Sequence, residues 1–407
     1  MSEAWEIQRF KQSFNKALVT NISNSFKKTT RDTIKTRYRY YKTLRSFTSS
    51  RTTMDTDHFF EIDESYAYIG KAWLELVGSN LVAYDIGNGG AYNAIKRIRV
   101  EQGGRVPFSY TGDDLWKMTH LVNKNAPSMT EIHSLADPSS DPNATPLLVP
   151  ILIPGSNLRY SLDHDTREPV FPIGALNSNL RITVTLQSGS YVSKTNDYGI
   201  TSLKLKVFTF NLDNDDINNK RPTRSGIYYS WFFMRPISRV FTETLTDATA
   251  KSITLDTIIE EGMLNSIVVD VLDKTTHYAD KEYQKTQSID VIKLTGRGSD
   301  GILYQHDNAQ SGRLQCLESW KLTNLYSGSA SGFGYFYPIP LTCRPDISIE
   351  NPGTIGLDLN GINPNLEITC TTLTNSGTDH DIRILALYKC LFSVKNNKNI
   401  DYTQYIQ

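Results

Sequence analysis

Cysteine is scarce in this chain and confined to its end. The four copies, Cys316, Cys343, Cys370 and Cys390, show no CxxC or metal-finger spacing, which excludes a disulfide-stapled scaffold and a zinc ribbon. Free thiols in a reducing compartment are the expectation. No run approaches the ~18 apolar residues of a membrane-spanning helix. Glu3 and Glu6 open the sequence with no apolar segment behind them, so no secretion signal is read, and the sequons at Asn21 and Asn143 are expected to stay unmodified.

Catalytic signatures are equally thin. The seven histidines (58, 120, 133, 164, 277, 306 and 380) form no HxH or HExxH pair, no GxSxG is present, and no Ser or Cys stands in a nucleophile context. Gly296-Arg297-Gly298-Ser299-Asp300-Gly301 matches GxGxxG by letter, but it falls between two strand patterns with no helix after it, which reads as a hairpin turn. Asp213, Asp215 and Asp216 lack the glycine and the spaced carboxylates of a calcium loop and read as a solvated linker. No metal, cofactor or catalytic residue is expected. Carboxylates distant in sequence could still pair in space, as glycoside hydrolysis requires.

The charge balance is zero, with 43 Lys or Arg against 43 Asp or Glu, but it is unevenly spread. Residues 1–57 carry 12 basic against 5 acidic residues, and the remainder carries 31 against 38. Within this basic arm Phe10, Phe14, Leu18, Ile22 and Phe26 recur every fourth residue, as the apolar stripe of an amphipathic helix would. Arg37-Tyr38-Arg39-Tyr40-Tyr41-Lys42 then interleaves cations with aromatics. Arg9, Lys11, Lys16, Lys27, Lys28, Arg31, Lys35, Arg37, Arg39, Lys42 and Arg45 are the candidate contacts to a polyanion, either nucleic acid or an anionic membrane. Alternatively the stripe packs on its own domain or a neighbouring subunit and leaves its charges in water.

What the chain does have is repetition. Asn177-Ser178-Asn179-Leu180-Arg181-Ile182-Thr183-Val184-Thr185 returns as Asn363-Pro364-Asn365-Leu366-Glu367-Ile368-Thr369-Cys370-Thr371, six of nine positions identical at an offset of 186. Both copies end in the period-2 alternation of a half-buried strand. Trp116-Lys117-Met118-Thr119-His120-Leu121 likewise recurs as Trp320-Lys321-Leu322-Thr323-Asn324-Leu325, and Pro150-Ile151-Leu152-Ile153 echoes in Pro338-Ile339-Pro340-Leu341. The order is the same both times. The spacings put the extra length of the first copy in residues 123–149, a loop where added length costs little closure entropy.

Two copies of one β-domain are therefore expected, each large enough to bury its own core. The first has strands at 58–62, 72–77, 147–153, 180–186 and 203–210, and a turn at 85–90. A hairpin is read at 95–100 and 106–110 around Gln102-Gly103-Gly104, with a helix after Gly112-Asp113-Asp114. The second has strands near 226–234, 252–256, 264–271, 289–294, 302–305, 334–341, 366–372 and 382–393. The division reads as an arm at 1–57, a first domain at 58–215, a linker at 216–224 and a second domain at 225–407.

Particular stretches resemble the double jelly-roll major capsid proteins of icosahedral double-stranded DNA viruses, the tectivirus, adenovirus and large-DNA-virus lineage. Phe60-Glu61-Ile62 followed by Ile69-Gly70-Lys71-Ala72-Trp73-Leu74-Glu75-Leu76 is similar to the opening strands of their first jelly roll. Asp114-Leu115-Trp116-Lys117-Met118 is similar to the helix after its second hairpin, and Phe171 to Ile182 to their Pro/Leu-rich run before a strand. The resemblance covers residues 58–400. It implies an all-β chain of two tandem eight-stranded antiparallel jelly rolls with a basic, partly helical arm. It further implies a homotrimer of pseudo-hexagonal outline that tiles a virion shell beside neighbouring capsomers and penton or minor capsid proteins, made inside the host cell without secretion. The arm would face the interior, against viral DNA, an internal membrane or minor proteins. Loops 123–149 and 273–288 are short for the tall towers of larger members.

Two other classes stay open on the residues. A carbohydrate-active tandem jelly-roll enzyme, such as a glycan amidase, would hold paired carboxylates in a cleft. A non-viral polyanion-binding scaffold would lose its ligand with residues 1–57 and remain a monomer.

Overall fold

The computed structural model describes residues 40–404 apart from 80–89, 123–134, 137–145, 154–157, 159–170, 194–197, 213–228, 256–262, 297–300, 316–335, 342–356, 360–363, 395–399 and a few isolated positions. The arm's apolar stripe, most of the 85–90 turn, the Asp-rich linker, most of loop 123–149 and the second Trp-Lys repeat lie outside the described residues.

Period-2 patterning builds the first unit from eight strands: β1 (Tyr40–Thr48), β2 (Asp57–Ile62), β3 (Tyr68–Ser79), β4 (Ile95–Gln102), β5 (Arg105–Tyr110), β6 (Leu147–Ile151), β7 (Leu180–Leu186) and β8 (Gly199–Leu212). They form two antiparallel sheets, ordered β1-β8-β3-β6 and β2-β7-β4-β5. Leu180, Ile182, Val184 and Leu186 of β7 are buried, as are Leu203, Leu205 and Val207 of β8, so alternate residues of the two sheets share one core. Between β4 and β5 the loop is Gly103-Gly104, with φ of 57° and 78°. Two positive φ values in a two-residue hairpin loop suit glycine, and the sequence supplies it twice.

The second unit repeats the plan with β9 (Tyr229–Leu245), β10 (Lys251–Thr254), β11 (Met263–Asp273), β12 (Val291–Thr295), β13 (Ile302–His306), β14 (Tyr337–Pro340), β15 (Leu357–Asp358), β16 (Asn365–Thr369), β17 (Thr378–Val394) and β18 (Ile400–Gln404). Its sheets run β9-β17-β11-β14 and β10-β16-β12-β13, which match the first unit strand for strand. β15 and β18 are additions that pair with β11 and β17. The repeated Asn motif marks β7 and β16, which hold the same place in equivalent sheets. Gly296 N–H donates to the Gly301 carbonyl at 3.0 Å between antiparallel β12 and β13, so the GxGxxG stretch is a hairpin connection.

Two strands differ from the sequence reading. β1 lies inside the segment read as the arm and supplies the eighth strand of the first unit, its Tyr40 to Thr48 pairing with Leu212 to Lys204. Its mixture of Tyr, Thr, Leu and Phe with Lys42 and Arg45 fits an edge strand with one wet side. β9 runs on to Leu245 through Pro236, which stands opposite Leu387. Among the described strands β9 pairs only with β17, and an edge strand tolerates the missing donor of a proline.

Removing β1 should therefore cost stability. A chain starting at residue 49 is expected to unfold at a clearly lower urea concentration than one starting at residue 40, because nine ladder positions and the cover over β8 are lost. Equal midpoints would mean that β1 is dispensable.

Candidate functional site

The densest chemistry lies where the two units meet, and it begins with a helix cap. Thr111 N–H donates to Asp114 Oδ2 at 2.9 Å and Asp114 N–H donates to Thr111 Oγ1 at 3.1 Å, a reciprocal capping box that starts α1 (Gly112–Val122). A Cβ on Gly112 would stand 2.0 Å from the Tyr92 carbonyl oxygen, so glycine is needed where the helix begins against residues 90–94. Helical spacing then puts Asp113 and Lys117 on one face, with Lys117 Nζ 2.7 Å from Asp113 Oδ2.

The second unit offers a matching pair. Asp270 of β11 stands opposite Arg383 of β17 in the ladder, and the guanidinium grips both carboxylate oxygens, Nε at 2.6 Å and Nη2 at 3.0 Å. Across the junction Lys117 Nζ is 2.7 Å from Asp270 Oδ2, and Arg383 Nη1 is 3.2 Å from Asp113 Oδ1. Each acid meets both cations. The result is a ring of four alternating charges with no net charge, in which Lys117 and Asp270 side chains are 1% exposed and Arg383 is 9% exposed.

Burial sets the electrostatics. Desolvation alone would raise the Asp113 carboxyl, but Arg383 and then Lys117 outweigh it and hold it below the usual carboxylate range. For Arg383 desolvation pulls down, yet Asp113 and Asp270 push its value further up. Asp114 is the exception: burial, and then the neighbouring Asp113 charge, raise its carboxyl. Its Oδ2 also accepts the Ser238 hydroxyl of β9 at 2.8 Å, which ties the cap of α1 to the second unit.

A second patch of contacts crosses the junction through two short helices, α2 (Gly189–Val192) and α3 (Thr276–Ala279). Tyr191 stacks on Tyr283 with ring centroids 4.3 Å apart and planes 5° apart, and the Tyr283 hydroxyl donates to the Tyr191 carbonyl at 2.8 Å. Burial raises the Tyr191 hydroxyl to about 12. Gln284 Nε2 donates to Asn93 Oδ1 at 2.9 Å, and Trp116 meets Phe336 edge-on at 5.7 Å. Loop 273–288, judged from sequence only by its length, thus works as a bracket.

A cavity of about 170 Å³ remains in the junction, lined among others by Asp113, Asp114, Lys117, Tyr191, Tyr278 and Arg383. Its carboxylates are engaged by cations, by the helix cap or by Ser238, so the pair does not have the free acid and base that glycoside hydrolysis uses. Among the described residues no group of three or more His, Cys, Asp or Glu is placed to hold a metal.

Of the polyanion candidates, Arg9, Lys11, Lys16, Lys27, Lys28, Arg31, Lys35, Arg37 and Arg39 lie outside the described residues. Lys42 and Arg45 are in β1, opposite Phe210 and Val207, and Arg45 is exposed. The charged ring was not among the sequence candidates. Its signal was there: Asp270 interrupts Ile267-Val268-Val269 and Val271-Leu272, and Arg383 sits between Ile382 and Ile384. A charge inside such an apolar run demands a partner.

No family model matches the sequence, and no curated protein does either. Solved structures match over almost the whole chain. The PBCV-1 chain VP54, a crystal structure fitted into a reconstruction of the virophage Sputnik, superimposes with a TM-score of 0.66 at 12% identity, covering 92% of this chain and 100% of that one. The Faustovirus major capsid protein gives 0.56 at 10% identity over 89% and 91%, and the mavirus major capsid protein 0.54 at 9% over 90% and 90%. At these identities the likeness establishes the fold: a double jelly roll.

Two substitutions test the ring. Arg383→Met leaves Asp270 buried with one cation fewer and is expected to cost about 3–5 kcal/mol at pH 7, read from urea midpoints. Asp113, whose value is lowered, contributes stability that is present above the ordinary carboxylate range and lost as pH falls through its folded value. Asp114, whose value is raised, has the opposite sign: its contribution is full below the ordinary range and lost as pH rises through its folded value. Asp114→Asn keeps an acceptor for Thr111 and Ser238, so stability at pH 7 should hold while the loss between pH 7 and 3 becomes steeper. An unchanged profile would refute that assignment.

Proposed function

We propose that this chain is a structural, non-catalytic major capsid protein whose trimers form pseudo-hexagonal capsomers of an icosahedral virion shell. One observation carries the reading: two jelly rolls matched strand for strand are joined by a buried, close-packed junction, so a single chain presents two similar building units in fixed relation. Three chains then supply six units, and a heterologous contact that closes after three steps generates a ring. Capsid assignments of chains with the same fold across the full length support the same reading.

The basic arm takes the inner surface of the shell. Its nine candidate cations that precede β1, Arg9 to Arg39, would meet viral DNA, an internal membrane or minor capsid proteins there, with affinity that falls as salt rises. The protein is then a virion component that contacts itself, neighbouring capsomers and vertex or minor proteins. Its stability comes from its own core and junction and calls on no cofactor.

The test is the mass of the purified protein by light scattering, with negative-stain images of the same sample. From a 46.0 kDa chain a trimer of about 138 kDa with hexagonal outline is expected. A monomer at every concentration would overturn the proposal.

A further inference from the structure

The charged ring holds a lysine amine between two carboxyl groups in a place that water barely reaches. Lys117 Nζ lies 2.7 Å from Asp270 Oδ2 and 2.7 Å from Asp113 Oδ2, and the Lys117 and Asp270 side chains are each 1% exposed. Val269 and Val271 flank Asp270 and are fully buried, as is Ile382 beside Arg383. An ion pair here has given up its hydration on both sides. An amine and a carboxyl group in contact are also the two halves of an amide, and folding has already met the entropy of bringing them together.

The other two members of the ring stand where a condensation needs them. Arg383 Nε donates at 2.6 Å to Asp270 Oδ1, the oxygen other than the one on Lys117, so charge that develops there on addition to the carbon meets a fixed donor. Against its own desolvation, Arg383 and Lys117 hold Asp113 as a carboxylate, which can take a proton from the nitrogen and return it. The junction cavity of about 170 Å³, lined among others by Asp113, Lys117 and Arg383, has room for a released water. Electrostatics favours the same change. Four buried charges become two, because the amide is neutral and Asp113 keeps Arg383 at 3.2 Å as its partner.

We infer that Lys117 and Asp270 join in an intramolecular isopeptide bond, a covalent staple between α1 of the first unit and β11 of the second. Lys117 passes one proton to Asp270 Oδ2, and the free amine adds to Asp270 Cγ. Asp113 takes the second proton from the nitrogen and delivers it to the departing Oδ2, which leaves as water. Oδ1 stays on the carbon as the amide oxygen. No oxidant or other reactant is consumed. The bond is independent of the capsomer reading, and it fixes the two jelly rolls at the angle that the ring selects.

The experiment is the intact mass of the full chain, kept folded at neutral pH and then unfolded in acid, where ion pairs separate. A mass about 18 Da below that of the sequence, with or without Met1, is the expected result, one water lost per amide. Digestion with trypsin should give one branched peptide that joins the Lys117 and Asp270 segments, with no cleavage after Lys117. Lys117→Arg keeps the cation but cannot form the bond, and it should return to the sequence mass. Asp113→Asn removes the proton carrier and should slow linking about a hundredfold, leaving the purified chain at the sequence mass. The parent chain at full sequence mass overturns the inference. So does a deficit that maps elsewhere, such as a cyclised aspartate, or a link from Lys117 to Asp113. Should the variants not fold, the branched peptide of the parent chain decides alone. A trimer without the mass deficit would sink the bond and leave the capsomer reading standing; a linked monomer would do the reverse.

Discussion

Along β11 and the middle of β17 the outer face of the second unit's sheet is closed to water, and the rest of the arrangement depends on how its charges are answered. Asp270 and Arg383 satisfy each other within the sheet, but each has a further charged partner across the junction, supplied by α1 as Lys117 and Asp113. Taking four charges out of water costs several kcal/mol apiece, and their attraction offsets this only when the geometry is close. A shifted or rotated pair of jelly rolls would leave a buried charge unanswered. An apolar junction could bind as strongly; a charged ring penalises the wrong docking angle.

This orientation originates in local structure. The capping box at Thr111 and Asp114 fixes where α1 starts, and the close approach at Gly112 fixes how near it lies to residues 90–94. From there the i, i+4 spacing of Asp113 and Lys117 aims both charges at the second unit. The stacked Tyr191 and Tyr283 and the Gln284–Asn93 hydrogen bond hold the junction at a separate patch, which resists hinging about the ring. In the proposed capsomer such stiffness would have a use: load passes between neighbours only if the building units do not rotate against each other.

Duplication also left differences between the copies. On the first unit the two lysines over the buried Glu75 stay half in water and Leu44 is exposed, and Ile302 is exposed on the second. The two copies hold an acid and a cation at matched ladder positions, Asp270 with Arg383 in the second unit and Glu75 with Lys204 in the first. Asp270 and Arg383 are both buried, with the planar guanidinium on both carboxylate oxygens, whereas Glu75 is buried beneath two lysines that stay half in water.

By itself the sequence determined the fold class, because period-2 alternation beside motifs repeated in the same order points to two copies of one β-domain, and strands such as β7 and β16 carry it in their own residues. It determined the β4–β5 hairpin through Gly103 and Gly104, and the start of α1 through Gly112-Asp113-Asp114, since turns and caps are local, although the capping residue itself is Thr111. It did not reveal β1, whose Tyr and Lys residues look like a polyanion motif until a ladder with β8 is available. Nor did it reveal the full length of β9, where Pro236 argues for a break unless the strand is known to be an edge. The charged ring was the least legible, for Asp113, Lys117, Asp270 and Arg383 span 270 residues and meet only when two sheets and a helix are in place. Local patterns are written in neighbouring residues; a junction depends on which faces the tertiary structure turns toward each other, and there only packing and the cost of burying charge decide.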